Sequence, residues 1–187
     1  MSMTHGSLHM ICGPMFSGKT TLLLAGVTHA REVGVQVAVF KPLADARYSA
    51  DEVVSHRGLR TDAIMLERAE NVHQRAGGAA HVALDEAQFW GPELVSSVQT
   101  LIHSGVKVDV ACLDVDSRGI PFEPVATLLA LADRVTKTTC PCTLCGGPAR
   151  ISWRLASSHA RILVGGGELY QPLCRNCCRM CVNRETD

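Results

Sequence analysis

The residues with the clearest chemical signature are the eight from Gly13 to Thr20, which read Gly-Pro-Met-Phe-Ser-Gly-Lys-Thr. Their spacing fills every fixed position of a phosphate-binding P-loop. In such a loop, backbone N–H groups form a nest for an anion, the lysine contacts the β- and γ-phosphates, and the final hydroxyl is a Mg²⁺ ligand. We therefore predict a nucleoside triphosphate site made by Gly13, Pro14, Met15, Phe16, Ser17, Gly18, Lys19 and Thr20.

A second chemical signature is the acidic pair Asp85-Glu86, which directly follows the apolar segment His81-Val82-Ala83-Leu84. An Asp at the end of such a strand is the expected partner of a P-loop, because its carboxylate holds Mg²⁺ or a water of the ion. Glu86 is then placed to activate a nucleophile, either water in an ATPase or a substrate hydroxyl in a kinase. Without other motifs, such a pair is as typical of solvated acids at a strand end as of a catalytic site. The P-loop upstream favours the catalytic interpretation.

Cysteines form a third signature, since seven of the nine in the chain lie after residue 139. Two Cys-x₂-Cys pairs at this spacing are typical of a closed tetrahedral S₄ site, which holds a structural Zn²⁺. Cys178 and Cys181 form a competing pair and Cys140 lies nearby, so the spacing alone leaves the ligand set open. The predicted ligands are Cys142, Cys145, Cys174 and Cys177.

The elements that must position these groups alternate between strand and helix over residues 8–139. Apolar runs predict strands at 8–12, 35–41, 81–85, 106–114 and 134–138, with helices around 20–33, 66–76, 92–104 and 123–132. Alternation of this kind predicts an α/β fold of the RecA-like P-loop type, with a mainly parallel sheet and helices on both faces. We expect a P-loop domain over 1–139, a zinc-ribbon domain over 140–187, and a mobile loop over the site at 42–62.

Composition and charge limit the function classes. The chain has 187 residues, 47% of them hydrophobic, which is enough for one packed core with a small appendage. Eighteen basic and eighteen acidic residues balance, so no basic excess favours binding to nucleic acid. We expect no membrane span and no signal peptide, and therefore a cytoplasmic protein.

Several motifs together resemble those of the zinc-containing, cytosolic (type II) thymidine kinases. They are the P-loop sequence, the segment Asp85-Glu86-Ala87-Gln88-Phe89, and the two cysteine pairs. Shorter matches are Lys41-Pro42 with Asp45-Ala46-Arg47-Tyr48-Ser49, Leu113-Asp114-Val115-Asp116 with Pro121-Phe122, and Gly165-Gly166 with Glu168 and Tyr170. The resemblance extends over roughly residues 8–181.

The resemblance implies a reaction and a set of roles. The γ-phosphoryl group of ATP passes to the 5′-hydroxyl of thymidine or deoxyuridine in the presence of Mg²⁺, and Glu86 accepts the hydroxyl proton. Asp85 lies with the metal, Gln88 belongs to the same nucleotide-contacting segment, and the lasso, Arg161 to Gly165 with Tyr170, closes over the base. The resemblance places Asp45, Ala46 and Arg47 near the phosphates. The residues that it places around the nucleoside are Met15, Phe89, Leu113, Ser117, Arg161, Ile162, Leu163, Val164, Gly165 and Tyr170.

The resemblance also implies a homotetramer, or sometimes a dimer, inhibited by thymidine triphosphate. Several positions depart from the family pattern, among them an extra glycine at Gly167 and a tryptophan, Trp90, in place of the usual second phenylalanine. Ser117 stands where the family usually has an aromatic residue, and Ser152 where it usually has threonine. Two other function classes stay open: a zinc-containing ATPase acting on nucleic acid, and a catalytically weak regulator that binds nucleotide. A GTPase is disfavoured because no Asn-Lys-x-Asp segment is present.

Overall fold

The computed structural model describes residues 5–45, 52–55, 58–156 and 160–185. Its helices are α1 (Lys19–Glu32), α2 (Asn71–Arg75), α3 (Glu93–His103), α4 (Val125–Leu131) and α5 (Arg175–Glu185). Its strands are β1 (Ser7–Cys12), β2 (Val37–Pro42), β3 (Glu52–Val54), β4 (Arg60–Asp62), β5 (Ile64–Leu66), β6 (His81–Leu84), β7 (Lys107–Cys112), β8 (Arg134–Lys137), β9 (Ile151–Arg154) and β10 (Tyr170–Leu173).

Six strands form one sheet in the order β5-β2-β6-β7-β1-β8, and each pairing within it is parallel. The central strands are Val- and Ala-rich because both of their faces are buried. Leu23, Leu24 and Val27 of α1 pack on one face, and α3 and α4 cover the other. The predicted α/β fold is therefore confirmed, and the carboxyl ends of its strands share one edge.

The segment expected to be a loop over 42–62 contains regular structure, which corrects the prediction. Pro42 ends β2, and the short strands β3 and β4 form an antiparallel hairpin. The helix predicted around 66–76 begins only at Asn71, because Ile64–Leu66 pairs with β2 as an edge strand. Three-residue strands with polar partners lack the run of alternating residues that sequence patterns detect.

Residues after 139 form a small unit with its own apolar core. The strands β9 and β10 pair antiparallel, and α5 follows. Ala149 and Leu173 are fully buried there, and Cys142, Cys177 and Cys178 are buried beside them. A C-terminal ribbon carrying a four-cysteine cluster is thus confirmed as part of the fold.

A polar cluster lies under α1, at the end of the sheet opposite the P-loop. His81 Nε2 and Asp109 Oδ2 are 2.8 Å apart, and the Lys107 Nζ lies 3.3 Å from the same oxygen. Burial would raise the pKa of Asp109, but the hydrogen bond and charge of His81, together with Lys107, hold it below its usual value. The cluster is a structural element, remote from the carboxyl edge.

No helix among the described residues is both long and apolar enough to cross a bilayer.

Candidate active site

The P-loop joins β1 to α1 and depends on backbone conformations that glycine favours. Gly13 has φ 144° and Gly18, which precedes α1, has φ 83°. A Cβ on Gly13 would lie 2.5 Å from both the carbonyl oxygen and the Oγ1 of Thr138, so no other residue fits. The buried Lys19 donates from Nζ to the carbonyl of Pro14 at 2.7 Å, which folds its ammonium back over the loop. Such a loop at a helix N-terminus is built to hold phosphates.

Side chains from the end of β8 and from the ribbon fix the P-loop in place. Ser17 Oγ donates to the carbonyl of Pro14 at 2.7 Å and lies 2.6 Å from Thr138 Oγ1. From the ribbon, Ser152 Oγ accepts the backbone N–H of Met15 at 2.9 Å. The hydroxyl is what this contact requires, so the serine at position 152 satisfies it without the methyl group of a threonine.

Thr20 and Asp85 face each other at the start of α1 and the end of β6. The Thr20 Oγ1 lies 3.3 Å from both carboxylate oxygens of Asp85. Burial, the charge of Glu86 and the charge of Asp45 raise the pKa of Asp85 to about 7. Carboxyl oxygens thus crowd beside the Thr20 hydroxyl, a donor set that suits Mg²⁺.

Glu86 occupies a left-handed backbone conformation with φ 53°, which is costly for a residue with a Cβ. The strained turn leads into a short 3₁₀ segment, Ala87–Phe89. Gln88 from that segment donates its side-chain amide to the Glu86 carboxylate, and its oxygen accepts the N–H of Leu113 at 2.9 Å. The Glu86 carboxylate is therefore held in one orientation beside the Asp85 carboxylate.

One cavity of about 510 Å³ joins these groups at the carboxyl edge of the sheet. Gly13, Pro14 and Val164 are not part of its lining, and Ala46 and Arg47 lie outside the described residues. The predicted site residues that line it are Met15, Phe16, Ser17, Gly18, Lys19, Thr20, Asp45, Asp85, Glu86, Gln88, Phe89, Leu113, Ser117, Arg161, Ile162, Leu163, Gly165 and Tyr170.

Sequence reasoning missed several lining residues, among them Lys41, Phe122 and Arg154. Lys41 is buried at the end of β2 and donates from Nζ to the carbonyl of Glu52 at 2.8 Å, which ties the β3–β4 hairpin to the site. A charged residue that ends an apolar strand was the available signal for Lys41. The sequence around Arg154 does not predict a site residue, because its contacts are with residues outside its own strand.

The lasso is shaped by contacts within the ribbon. Arg154 donates to the carbonyls of Ala160 and Arg161, and its guanidinium lies 5.6 Å from the centre of the Tyr170 ring. The Tyr170 hydroxyl donates to the carbonyl of Leu163 at 2.6 Å. Side chains on β9 and β10 thereby hold both sides of the loop that covers the cavity.

Four cysteines come together at the tip of the ribbon. The sulfurs of Cys142, Cys145, Cys174 and Cys177 all lie within 4.8 Å of one another. Sulfurs around a tetrahedral Zn²⁺, with bonds of about 2.3 Å, are about 3.8 Å apart, and Cys145 Sγ lies 3.7 Å from Cys174 Sγ. The cluster fits zinc, and among the described residues Cys140, Cys178 and Cys181 stay outside it.

A parallel sheet, a P-loop after its first strand and a paired acidic site define a P-loop nucleotide-binding α/β protein. The sequence profile of the family described as thymidine kinase matches residues 6–178. The chain belongs to the thymidine kinase family, as its motifs predicted.

The solved structures that the chain matches are distant from it in sequence. One is a DNA replication initiation factor, with 14% identity over 71% of this chain and 40% of that chain and a TM-score of 0.43. Another is AMPPCP-bound DnaA from Aquifex aeolicus, with 16% identity over 74% of this chain and 42% of that chain and a TM-score of 0.43. A third is the genome packaging NTPase B204 from Sulfolobus turreted icosahedral virus 2 in complex with ATP-gammaS, with 12% identity over 72% of this chain and 75% of that chain and a TM-score of 0.46. The chain spans less than half the length of the two replication proteins, and such distant matches carry no information about activity.

Proposed function

We propose that this protein transfers the γ-phosphoryl group of ATP to the 5′-hydroxyl of thymidine, with deoxyuridine as a second substrate. Family membership supports a nucleoside kinase. The observation that carries the proposal is the single cavity in which Glu86, Lys19 and Tyr170 all take part. A phosphate site, a carboxylate base and an apolar wall under a covering loop are what a nucleoside kinase needs in one place.

The ATP side of the site is the P-loop. Its backbone N–H groups and Lys19 would hold the phosphates, and Thr20 and Asp85 would hold Mg²⁺. Mg²⁺, when bound, neutralises charge that develops on the transferred phosphoryl group. By the family resemblance, Asp45, Ala46 and Arg47 are proposed to lie near the phosphates, where the Arg47 guanidinium would stabilise charge in the transition state.

Glu86 is the proposed general base. Its carboxylate, held by Gln88, accepts the proton of the 5′-hydroxyl as the oxygen attacks the γ-phosphorus in line with the leaving β-phosphate oxygen. Since phosphoryl transfer depends mainly on positioning, the turn at Glu86 and the tether at Gln88 contribute by holding the carboxylate in place.

The nucleoside side is the region between the end of β7 and the lasso. Phe89, Leu113 and Tyr170 offer apolar surface to the sugar and base, and main-chain groups from Arg161 to Gly165 would meet the edge of the base. Ser117 lines the same region with a small polar side chain. We propose that thymidine binds here and that the loss of an aromatic wall at Ser117 lowers the affinity for the base.

Zinc at the four cysteines is proposed to be structural, because four thiolates leave no open coordination position. We propose that residues 1–139 form the kinase domain and residues 140–187 the ribbon and lasso domain. We also propose a cytoplasmic homotetramer inhibited by thymidine triphosphate. Sedimentation tests the tetramer, and turnover measured with increasing thymidine triphosphate tests the inhibition.

Turnover of the purified protein with Mg-ATP tests the function. The acceptors are thymidine, deoxyuridine, deoxycytidine, the purine deoxynucleosides and single-stranded DNA. Saturable formation of thymidine 5′-monophosphate is the expected result, with the strongest preference for thymidine and deoxyuridine. DNA-stimulated ATP hydrolysis without a phosphorylated nucleoside would contradict the kinase proposal and indicate a nucleic-acid ATPase. Nucleotide binding without turnover would indicate a regulator.

A further inference from the structure

Arg161 joins the lasso to the sheet domain through three contacts. Its Nε lies 3.4 Å from Asp116 Oδ2, and its Nη2 donates to the carbonyl of Pro121 at 2.6 Å. The guanidinium also lies 5.2 Å from the centre of the Phe122 ring, within the range of a cation–π contact. All three partners belong to the segment 116–122 that follows β7, across the cavity from the ribbon.

Asp116 is a buried carboxylate that depends on this arginine. Its Oδ1 accepts the backbone N–H groups of Arg118 at 2.9 Å and Ile120 at 3.0 Å, which closes the turn. Its Oδ2 has no hydrogen bond within the described part of the chain, and the side chain is only 1% exposed. Over those same residues, Arg161 supplies the only cation within ion-pair distance of Asp116.

The Arg161 side chain is 46% exposed, so its role differs from that of its buried partner. Water can solvate the arginine when the lasso moves away, whereas the Asp116 carboxylate, which is 1% exposed in the closed lasso, would lose its countercharge. An unpaired buried charge is costly. The ion pair therefore stabilises the closed lasso, and the exposure of Arg161 still allows the lasso to open.

Arg154 makes a different kind of contact. Its two carbonyl acceptors, Ala160 and Arg161, belong to the ribbon and lasso themselves. Arg154 thus sets the shape of the loop, whereas the Arg161 side chain fixes the loop against the other domain. Movement of the lasso away from the segment 116–122 must break the Arg161 contacts.

We propose that Arg161 is a positioning residue that latches the lasso shut, through Asp116 and Phe122, and so limits escape of the nucleoside. The inference rests on the proposed function, because it takes the ligand under the lasso to be a nucleoside. The latch does not touch the reacting atoms. Its removal should therefore raise the nucleoside KM and dissociation rate much more than it lowers kcat.

The test uses the full-length protein with zinc and compares Arg161→Gln, Asp116→Asn, the double variant and Arg161→Lys. Asparagine keeps the Oδ1 acceptor for the turn while removing the charge. Arg118→Gln is the control, because it removes an exposed positive charge from the same turn without touching the pair. The measurements are the steady-state constants for thymidine and ATP, and the thymidine dissociation rate by stopped flow.

Arg161→Gln and Asp116→Asn should each raise the thymidine KM and dissociation rate by about tenfold, and Arg118→Gln should change neither. The ATP KM should stay within about twofold and kcat within about threefold of wild type. The double variant should resemble either single variant, since both remove the same interaction. Lysine should restore part of the effect, because it keeps the charge without the planar stacking surface.

Hydrogen exchange of the lasso amides provides a readout that does not depend on turnover. Without ligands, Arg161→Gln and Asp116→Asn should speed exchange over residues 160–169, while Arg118→Gln should not. Unchanged exchange and an unchanged thymidine dissociation rate would overturn the latch. If wild type phosphorylates no nucleoside, the proposed function fails, and the exchange comparison still decides whether the latch exists.

Discussion

The Gln88 side chain joins the Glu86 carboxylate to the backbone N–H of Leu113, the latter at 2.9 Å. One amide thus couples the proposed base to the segment after β7 that lines the nucleoside side of the cavity. Movement of that segment would displace the carboxylate as well. The buried Gln88 therefore connects the proposed catalytic carboxylate with the proposed nucleoside site.

Glu86→Gln should lower kcat by about 10²–10⁴-fold, because the amide cannot accept the 5′-hydroxyl proton. The ATP dissociation constant should change little, since the P-loop is untouched. Single-turnover kinetics and calorimetric titration of ATP separate the two effects. Glu93→Gln, an exposed site in the first turn of α3, is the matched control. A kcat near that of wild type would remove Glu86 as the base.

Gln88→Leu should lower kcat by about 10–100-fold through loss of the carboxylate's orientation. It also leaves the Leu113 N–H without its acceptor, at a cost of about 1–3 kcal/mol in the free energy of unfolding. Urea unfolding and steady-state kinetics measure the two effects separately. An unchanged kcat in a destabilised variant would show that the tether serves stability alone.

Local sequence patterns sufficed for those parts of the site that lie within a few residues of one another. The P-loop and Asp85-Glu86 each follow an apolar strand, and parallel pairing brings their carboxyl ends to one edge. The Arg161–Asp116 contact joins residues 45 positions apart in the chain, and neither residue type predicts the other. The cysteine set was likewise open from spacing, because only the folded ribbon separates Cys177 from its neighbour Cys178.

Gly13→Ala should weaken ATP binding by more than tenfold and cost about 3 kcal/mol of stability, because the new methyl group would meet the Thr138 backbone. Gly34→Ala is the comparison. Gly34 also has a positive φ, 80°, but within the described part of the chain no atom beyond its two chain neighbours lies within 4 Å of the added Cβ. Its cost should be limited to backbone strain of about 1–2 kcal/mol, with ATP binding unaffected. Equal effects at the two sites would rule out a role for the close approach to Thr138.

Cys145→Ser should release zinc and destabilise the ribbon, because three remaining thiolates cannot close a tetrahedral site. The expected results are a zinc content below one ion per chain and a lower melting temperature. A chelator should produce the same changes in wild type. Cys181→Ser lies outside the four-sulfur cluster and should keep its zinc. Full zinc content in Cys145→Ser would contradict the ligand assignment.

Asp109→Asn should change the dependence of stability on pH. The hydrogen bond and charge of His81, with Lys107, outweigh burial and hold the folded-state pKa of Asp109 below its usual value. A carboxylate with a depressed folded pKa stabilises the protein above its unfolded pKa of about 3.9. That contribution is lost as the pH falls through the folded pKa.

The difference in unfolding free energy between wild type and Asp109→Asn should therefore be largest above about pH 5 and shrink from about pH 4 towards pH 3. Urea unfolding at several pH values measures it, and acid release of zinc from the ribbon affects both proteins alike. Asp62→Asn, at an exposed position of the β3–β4 hairpin, should show no such trend. A difference that stays constant down to pH 3 would mean that the His81–Asp109 pair contributes through shape and hydrogen bonding rather than through charge.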